Sequence, residues 1–134
     1  MMTLTVNGRE LRSLEIISYV PKIELLDGPG TGRSNADLWD MIRQPQGYIL
    51  NFQIEIYSTL STNEDFKHLY NTCLSLGSIE FVPVTVVDLL GNDLTQNMYF
   101  TLEGIEFRRS NSDNSIRTGN IKANFIAQRG NKYV

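Results

Sequence analysis

Apolar and polar residues alternate with a period of two along much of this chain, most clearly over Tyr48–Tyr57. There Leu50, Phe52, Ile54 and Ile56 fall on one side, and Asn51, Gln53, Glu55 and Tyr57 on the other. Successive side chains of a strand point to opposite faces, so the run predicts a strand with one buried face and one wet or partner-facing face, typical of antiparallel sheets. Further strands are predicted at Thr3–Val6, along an extended stretch from Glu10 to Leu26, and at Ser78–Leu89, Gln96–Arg108 and Ile116–Gln128. Asn7-Gly8 is the favoured pair for a two-residue type I′ hairpin. Pro21 and Pro83 cannot donate to a ladder; Pro21 predicts a bend or an edge, and Pro83 an edge or a bulge. In Gln96–Arg108 the phase set by Met98, Phe100 and Leu102 reverses at Ile105 and Phe107, which predicts a β-bulge at Gly104. Ser110–Ser115 reads as a polar hairpin loop, and Arg129–Val134 as a trailing tail.

The period changes once. Phe66, Leu69, Tyr70, Cys73 and Leu74 fall at i, i+3, i+4, i+7 and i+8, one apolar stripe of a helix over about 62–76. Ser61 with Glu64 three residues on has the form of a capping box, and Gly77 is a natural stop. There is no internal repeat. The order of strands, one helix and more strands predicts a mainly β fold in a single domain, residues 1–134. The expected architecture is an antiparallel β-sandwich or partly closed barrel with one flanking helix.

Residues 27–47 break the strand pattern with a long inter-strand arm, which in a small domain points to a task of its own. Gly28-Pro29-Gly30-Thr31-Gly32-Arg33-Ser34 has three residues between glycines and arginine as its base. A Walker loop needs four and a lysine, and a dinucleotide fingerprint needs a βαβ crossover that the chain lacks. A flexible glycine arm is the better reading. It leads into Asn35–Arg43, with the single tryptophan, Trp39, at its centre. Two roles stay open for that segment. Either it plugs the domain's own core, or Leu38, Trp39 and Met41 bury on a neighbouring subunit, where aromatics and methionine are favoured anchors. Arg33 and Asp37 complete the candidate interface set.

Composition narrows the class. With 134 residues, 41% hydrophobic and 20% charged, the chain has the make-up of a soluble globular protein. Its apolar runs fall far short of the ~20 residues that span a bilayer, and no signal peptide is legible. One cysteine, Cys73, excludes an internal disulfide and fits synthesis in a reducing compartment. The net charge of −3 argues against bulk nucleic-acid affinity. Residues 44–107 hold eight acids against Lys67 alone, whereas residues 108–134 hold six bases against Asp113 alone. These charges either populate solvent faces or form complementary surfaces that meet head-to-tail between copies.

No catalytic constellation is legible. His68 is the only histidine, which removes a multi-histidine metal site, and its helical phase places it on the polar face. Cys73 lies about 140° further round the helix, a poor nucleophile–base pair, and reads as a buried structural thiol. Glu64 and Asp65 suit the positive end of a helix. Glu103 and Glu106 would be the pair of a hydrolase if they converged. No calcium-loop or zinc spacing is present, and neither a metal nor a cofactor is expected.

The order of elements resembles that of the small tail-tube and baseplate proteins of bacteriophage tails and of related contractile injection systems. It runs from a short strand with a tight turn through an extended strand to a glycine-rich arm with Arg33 and Asp37. The amphipathic strand Tyr48–Tyr57, one capped helix and three long strands follow. The resemblance implies a ring, hexameric in such families, in which inner sheets of neighbouring copies join around a channel. It implies contacts with other tail or baseplate proteins, an arm that reaches adjacent subunits, and DNA passing through the lumen without specific binding. The location implied is a virion tail built in the host cytoplasm, with no membrane partner and no enzymatic activity. A channel wall facing DNA should be acidic or neutral, and the acids of 44–107 are candidates for it. The alternative from another class is a monomeric β-sandwich module for carbohydrate or peptide, with Trp39, Tyr48 and Tyr57 as its platform.

Overall fold

The computed structural model describes residues 2–28, 32–34 and 40–132, and over these the fold is mainly β. β1 (Thr3–Val6) turns through Asn7-Gly8 into β2 (Arg9–Glu10). Both turn residues have positive φ, 48° and 86°, as a type I′ turn requires. β3 (Ile16–Asp27) leads to the arm, of which β4 (Gly32–Ser34) and β5 (Asp40–Ile42) pair with each other. β6 (Pro45–Ile56) returns along β3 and is followed by α1 (Glu64–Ser75). β7 (Val82–Val87) and β8 (Asp93–Glu103) form a hairpin. A two-residue hairpin of β9 (Arg108–Arg109) and β10 (Ile116–Arg117) precedes β11 (Ile121–Ala127) and β12 (Asn131–Lys132).

One antiparallel sheet runs β3-β6-β11-β8-β7-β1-β2, seven strands across. β12 takes over from β11 further along the same side of β6, at Gly47 and Tyr48. The sheet does not close into a barrel: β3 lies at one edge and β2 at the other. Residues 131 and 132, expected in a trailing tail, are therefore part of the sheet.

The alternation places the core on one face. Phe52, Ile54 and Ile56 from β6 meet Ile121, Ala123 and Phe125 from β11, Met98 and Phe100 from β8, and Val82, Val84 and Val86 from β7, all buried. Leu4 and Val6 of β1, Leu11 and Leu14 after β2, and Phe66 and Leu69 of α1 complete it. Burial of each large side chain stabilises the fold by roughly 1.5–3 kcal/mol. At the centre Phe125 stacks between Phe52 and Phe100, its direct neighbours on the flanking strands, with both ring centroids at 4.7 Å.

Several expectations change. The helix is capped by Asn63 rather than Ser61: the Asn63 side-chain oxygen accepts from the amides of Asp65 and Phe66. Tyr70 and Leu74 of its stripe are exposed, since the stripe that reaches the core is only one face wide. Gly104 is not a bulge. Its φ of 77° ends β8, and a side chain there would stand 3.3 Å from the Asn120 carbonyl, so the reversal of phase marks a strand end. Ile116–Gln128 is likewise two strands, β10 and β11, interrupted at 118–120. Pro83 lies in β7, between β1 and β8, yet no hydrogen bond is lost in mid-ladder. Its carbonyl accepts from Asn7, so its missing N–H faces β1 where that strand turns away. Pro21 lies on the edge strand β3, as expected.

Candidate functional site

β3 and β6 form a hairpin longer than the rest of the sheet. Their register runs from Ile16 opposite Ile56 to Asp27 opposite Pro45, whereas β11 covers β6 only from Phe52 to Ile56. The inward face of the hairpin therefore continues past the core. Ile23 pairs with Leu50 and Leu25 with Tyr48, and Ile23 and Leu25 are 66% and 58% exposed. Opposite them stands the β7–β8 turn, held by Asp88, whose carboxylate accepts from the amides of Leu90 and Asn92. These hydrogen bonds, the Asn92 amide foremost, hold the Asp88 carboxyl below its ordinary value. Leu90, at the tip, is 86% exposed. Hairpin and turn enclose an open cleft of about 510 Å³, lined by Ile23, Leu25, Leu50, Val86, Leu90 and Leu94 among others. Apolar side chains this exposed, clustered around a concavity, make this a candidate interaction surface.

β3 is also an edge. Among the described residues it pairs with β6 alone, so the other side of a twelve-residue strand offers its backbone groups to solvent or to a further strand. Val20, which faces away from the core together with Lys22 and Glu24, is half exposed.

The arm leaves from the end of this hairpin. Arg43 holds Asp27 at 2.7 Å, and the Gly28 amide donates to the Gln44 carbonyl at 2.7 Å, closing its root. Beyond it Arg33 lies opposite Met41 in the β4–β5 ladder, so this part of the glycine-rich segment is paired strand rather than free tether. Met41 is exposed. Of the expected interface set, Asp37, Leu38 and Trp39 lie outside the described residues. Sequence reasoning singled out the arm but missed the apolar inward face of its hairpin, whose signal was the alternation of Tyr19, Ile23 and Leu25.

The candidate chemical groups are dispersed. His68 is half-buried rather than exposed, and its Nε2 donates to the Val6 carbonyl at 2.7 Å, tying α1 to β1. Cys73 is half-buried against the core, and burial pushes its thiol pKa up. Asp65 does more than complement the helix end: it is buried and bound by Arg9 and Ser13. Glu106 is ion-paired with Arg108 at 2.9 Å, which holds its carboxyl below the ordinary value. A general acid needs the opposite shift. Glu103 stands at the end of β8 opposite Lys122. Among the described residues no group of three or more His, Cys, Asp or Glu side chains could hold a metal ion. Among the described residues no helix is long and apolar enough to cross a membrane.

The charge asymmetry of the sequence is largely interleaved by folding. Lys122 on β11 lies between Glu55 of β6 and Glu103 of β8 on the sheet face away from the core. The other acids of 44–107 sit on the helix, in turns, at the start of β8 and beside Arg108, so they do not gather into an acidic wall. The open sheet face is instead polar and nearly neutral, with Asn51, Gln53, Asn124 and Thr101 around that Glu–Lys–Glu row. Tyr48 on β6 and Tyr57 just past its end are nine residues apart, roughly 30 Å at strand rise, which is too far for one platform. The chain matches no protein-family model, no curated protein and no solved structure.

Proposed function

We propose that the chain is a non-enzymatic structural subunit of a bacteriophage tail or tail-like particle, as a tube, tube-initiator or baseplate component. In this reading it assembles into a ring through sheet edges and the arm. The observation that carries the reading is the β3–β6 hairpin. It presents a free twelve-residue edge, an apolar inward face that continues past the core, and the arm at its tip. An isolated monomer gains nothing from exposing Ile23, Leu25 and Leu90, whereas a neighbouring strand or arm buries them. The open, nearly neutral face of the sheet suits a channel wall along which DNA slides without sticking, because a basic wall would bind phosphates strongly. The assignment to a tail rests on the resemblance in element order.

Electron microscopy of the purified protein, alone and with tail extracts of a phage encoding it, tests the reading. Rings or tube segments are expected. Deletion of residues 28–37 should abolish them while leaving the monomer folded. A protein that stays monomeric in both settings, or a deletion variant that assembles normally, overturns the proposal.

A further inference from the structure

The β9–β10 hairpin has four strand residues, and three of them are arginine. Arg108 lies directly opposite Arg117, and Arg109 opposite Ile116. Like charges facing each other across a ladder destabilise it, so folding alone gives no reason for this composition. Such local conflicts tend to mark functional positions.

The hairpin forms one wall of an open cleft of about 570 Å³ at the end of the sheet far from the arm. Ser58 adds to the lining from the segment before α1, and that segment is fastened to the hairpin by backbone hydrogen bonds. Ser61 donates to Ile116 and Thr118 to Thr59, while Gly119 donates to Glu106 on the adjoining segment. Each arginine is steered from one side only. Arg108 donates from Nη2 to Glu106, and Arg117 donates from Nη2 to the Ser58 carbonyl at 3.0 Å. A guanidinium carries five N–H donors, so most of those on both remain for a ligand. Asn120 adds a neutral donor: its side-chain oxygen accepts from the Ser58 amide, which leaves its NH2 group as a donor at the cleft. Glu106 is the single acid among the lining residues, against three arginines.

From this geometry we propose that the cleft binds a compact polyanion bearing at least two oxyanion groups, of the diphosphate or tricarboxylate class. Facing guanidiniums match the acceptor pairs of phosphate and carboxylate oxygens. One singly charged group would leave one arginine uncompensated. Among the described residues no aromatic side chain lines the cleft, so the ligand is recognised by its charges rather than by stacking of a ring. This site is independent of the assembly surface, which lies at the other end of the sheet.

Titration calorimetry with pyrophosphate and with citrate, at low salt, tests the proposal on the full chain. Saturable binding of either is expected, and the tighter of the two identifies the oxyanion. Double substitution R108A/R109A should weaken it by about tenfold or more, the scale of lost charge-assisted hydrogen bonds. E106Q should tighten it severalfold, because the competing carboxylate is removed. A merely structural role for Glu106 would not move binding in that direction. All three residues are exposed, and thermal unfolding of the ligand-free variants checks that they fold. Absence of binding of both probes at millimolar concentration, or binding unchanged in R108A/R109A, overturns the proposal.

Discussion

Arg9 and Asp65, 56 residues apart in sequence, meet at 2.7 Å and join the first hairpin to the first turn of the helix. Asp65 also accepts from the Ser13 amide at 2.9 Å and from its hydroxyl. Burial alone would raise the carboxyl pKa; the Ser13 hydrogen bonds and the Arg9 charge outweigh it and leave a net lowering. A lowered folded-state value means that the stabilisation is complete above the unfolded value, near ~3.9, and is lost as pH falls through the folded one. Asp65→Ala should therefore lower stability by about 2–4 kcal/mol at neutral pH. Urea unfolding of both proteins at neutral and at strongly acidic pH should show that difference shrinking in acid.

The Phe52–Phe125–Phe100 stack predicts a second effect. Phe125 is fully buried between two rings, so Phe125→Ala should cost about 3–5 kcal/mol. A double-mutant cycle of Phe125→Leu with Phe100→Leu should give a coupling of about 0.5–1.5 kcal/mol, read from denaturant midpoints.

The helix start separates two caps. Asn63→Ala should destabilise by about 1 kcal/mol, while Ser61→Ala should change stability by less than about 0.5 kcal/mol. Equal losses in thermal unfolding would contradict the Asn63 hydrogen bonds.

Ile23 and Leu25 line the open cleft rather than the sealed core. The double variant I23K/L25K should thus keep its thermal midpoint within a few degrees, since exposed positions contribute little to the monomer. The same variant should abolish concentration-dependent assembly in sedimentation velocity.

Cys73 packs against the core with a raised thiol pKa, so little reactive thiolate is present at neutral pH. Iodoacetamide labelling followed by mass spectrometry should be at least about tenfold slower in the native protein than in urea.

Much of the fold was legible because it is written locally. The alternation at Leu50, Phe52, Ile54 and Ile56, the Asn7-Gly8 turn and the stripe of Phe66, Leu69 and Cys73 each need only neighbouring residues to be read. What escaped depends on register. The return of Asn131–Lys132 to Gly47 and Tyr48 requires knowing where β11 ends on β6. The half-buried setting of His68 depends on β1 passing beneath the helix, and the role of Asp65 on Arg9 and Ser13 arriving from 50 or more residues away. The choice between the two readings of the charge, solvent faces or complementary surfaces, also turns on register. Segments that look acidic and basic along the chain become cross-strand neighbours at Glu55, Lys122 and Glu103. The candidate arm was visible as a break in pattern, but the apolar face that leads to it became a surface only when β11 was seen to stop short of it.

The proposed assembly through the β3 edge would make timing part of this protein's stability. Among the described residues no strand pairs with the outer side of β3, so Val20 and Ile23 sit beside open backbone groups on a strand that any other chain could extend. Pro21, Lys22 and Glu24, set among those apolar residues, act as gatekeepers that disfavour indiscriminate pairing. In the assembly proposed above, mass action would add the binding free energy to that of folding, so resistance to unfolding should climb with protein concentration. A freshly made copy is thus least secure while it is alone.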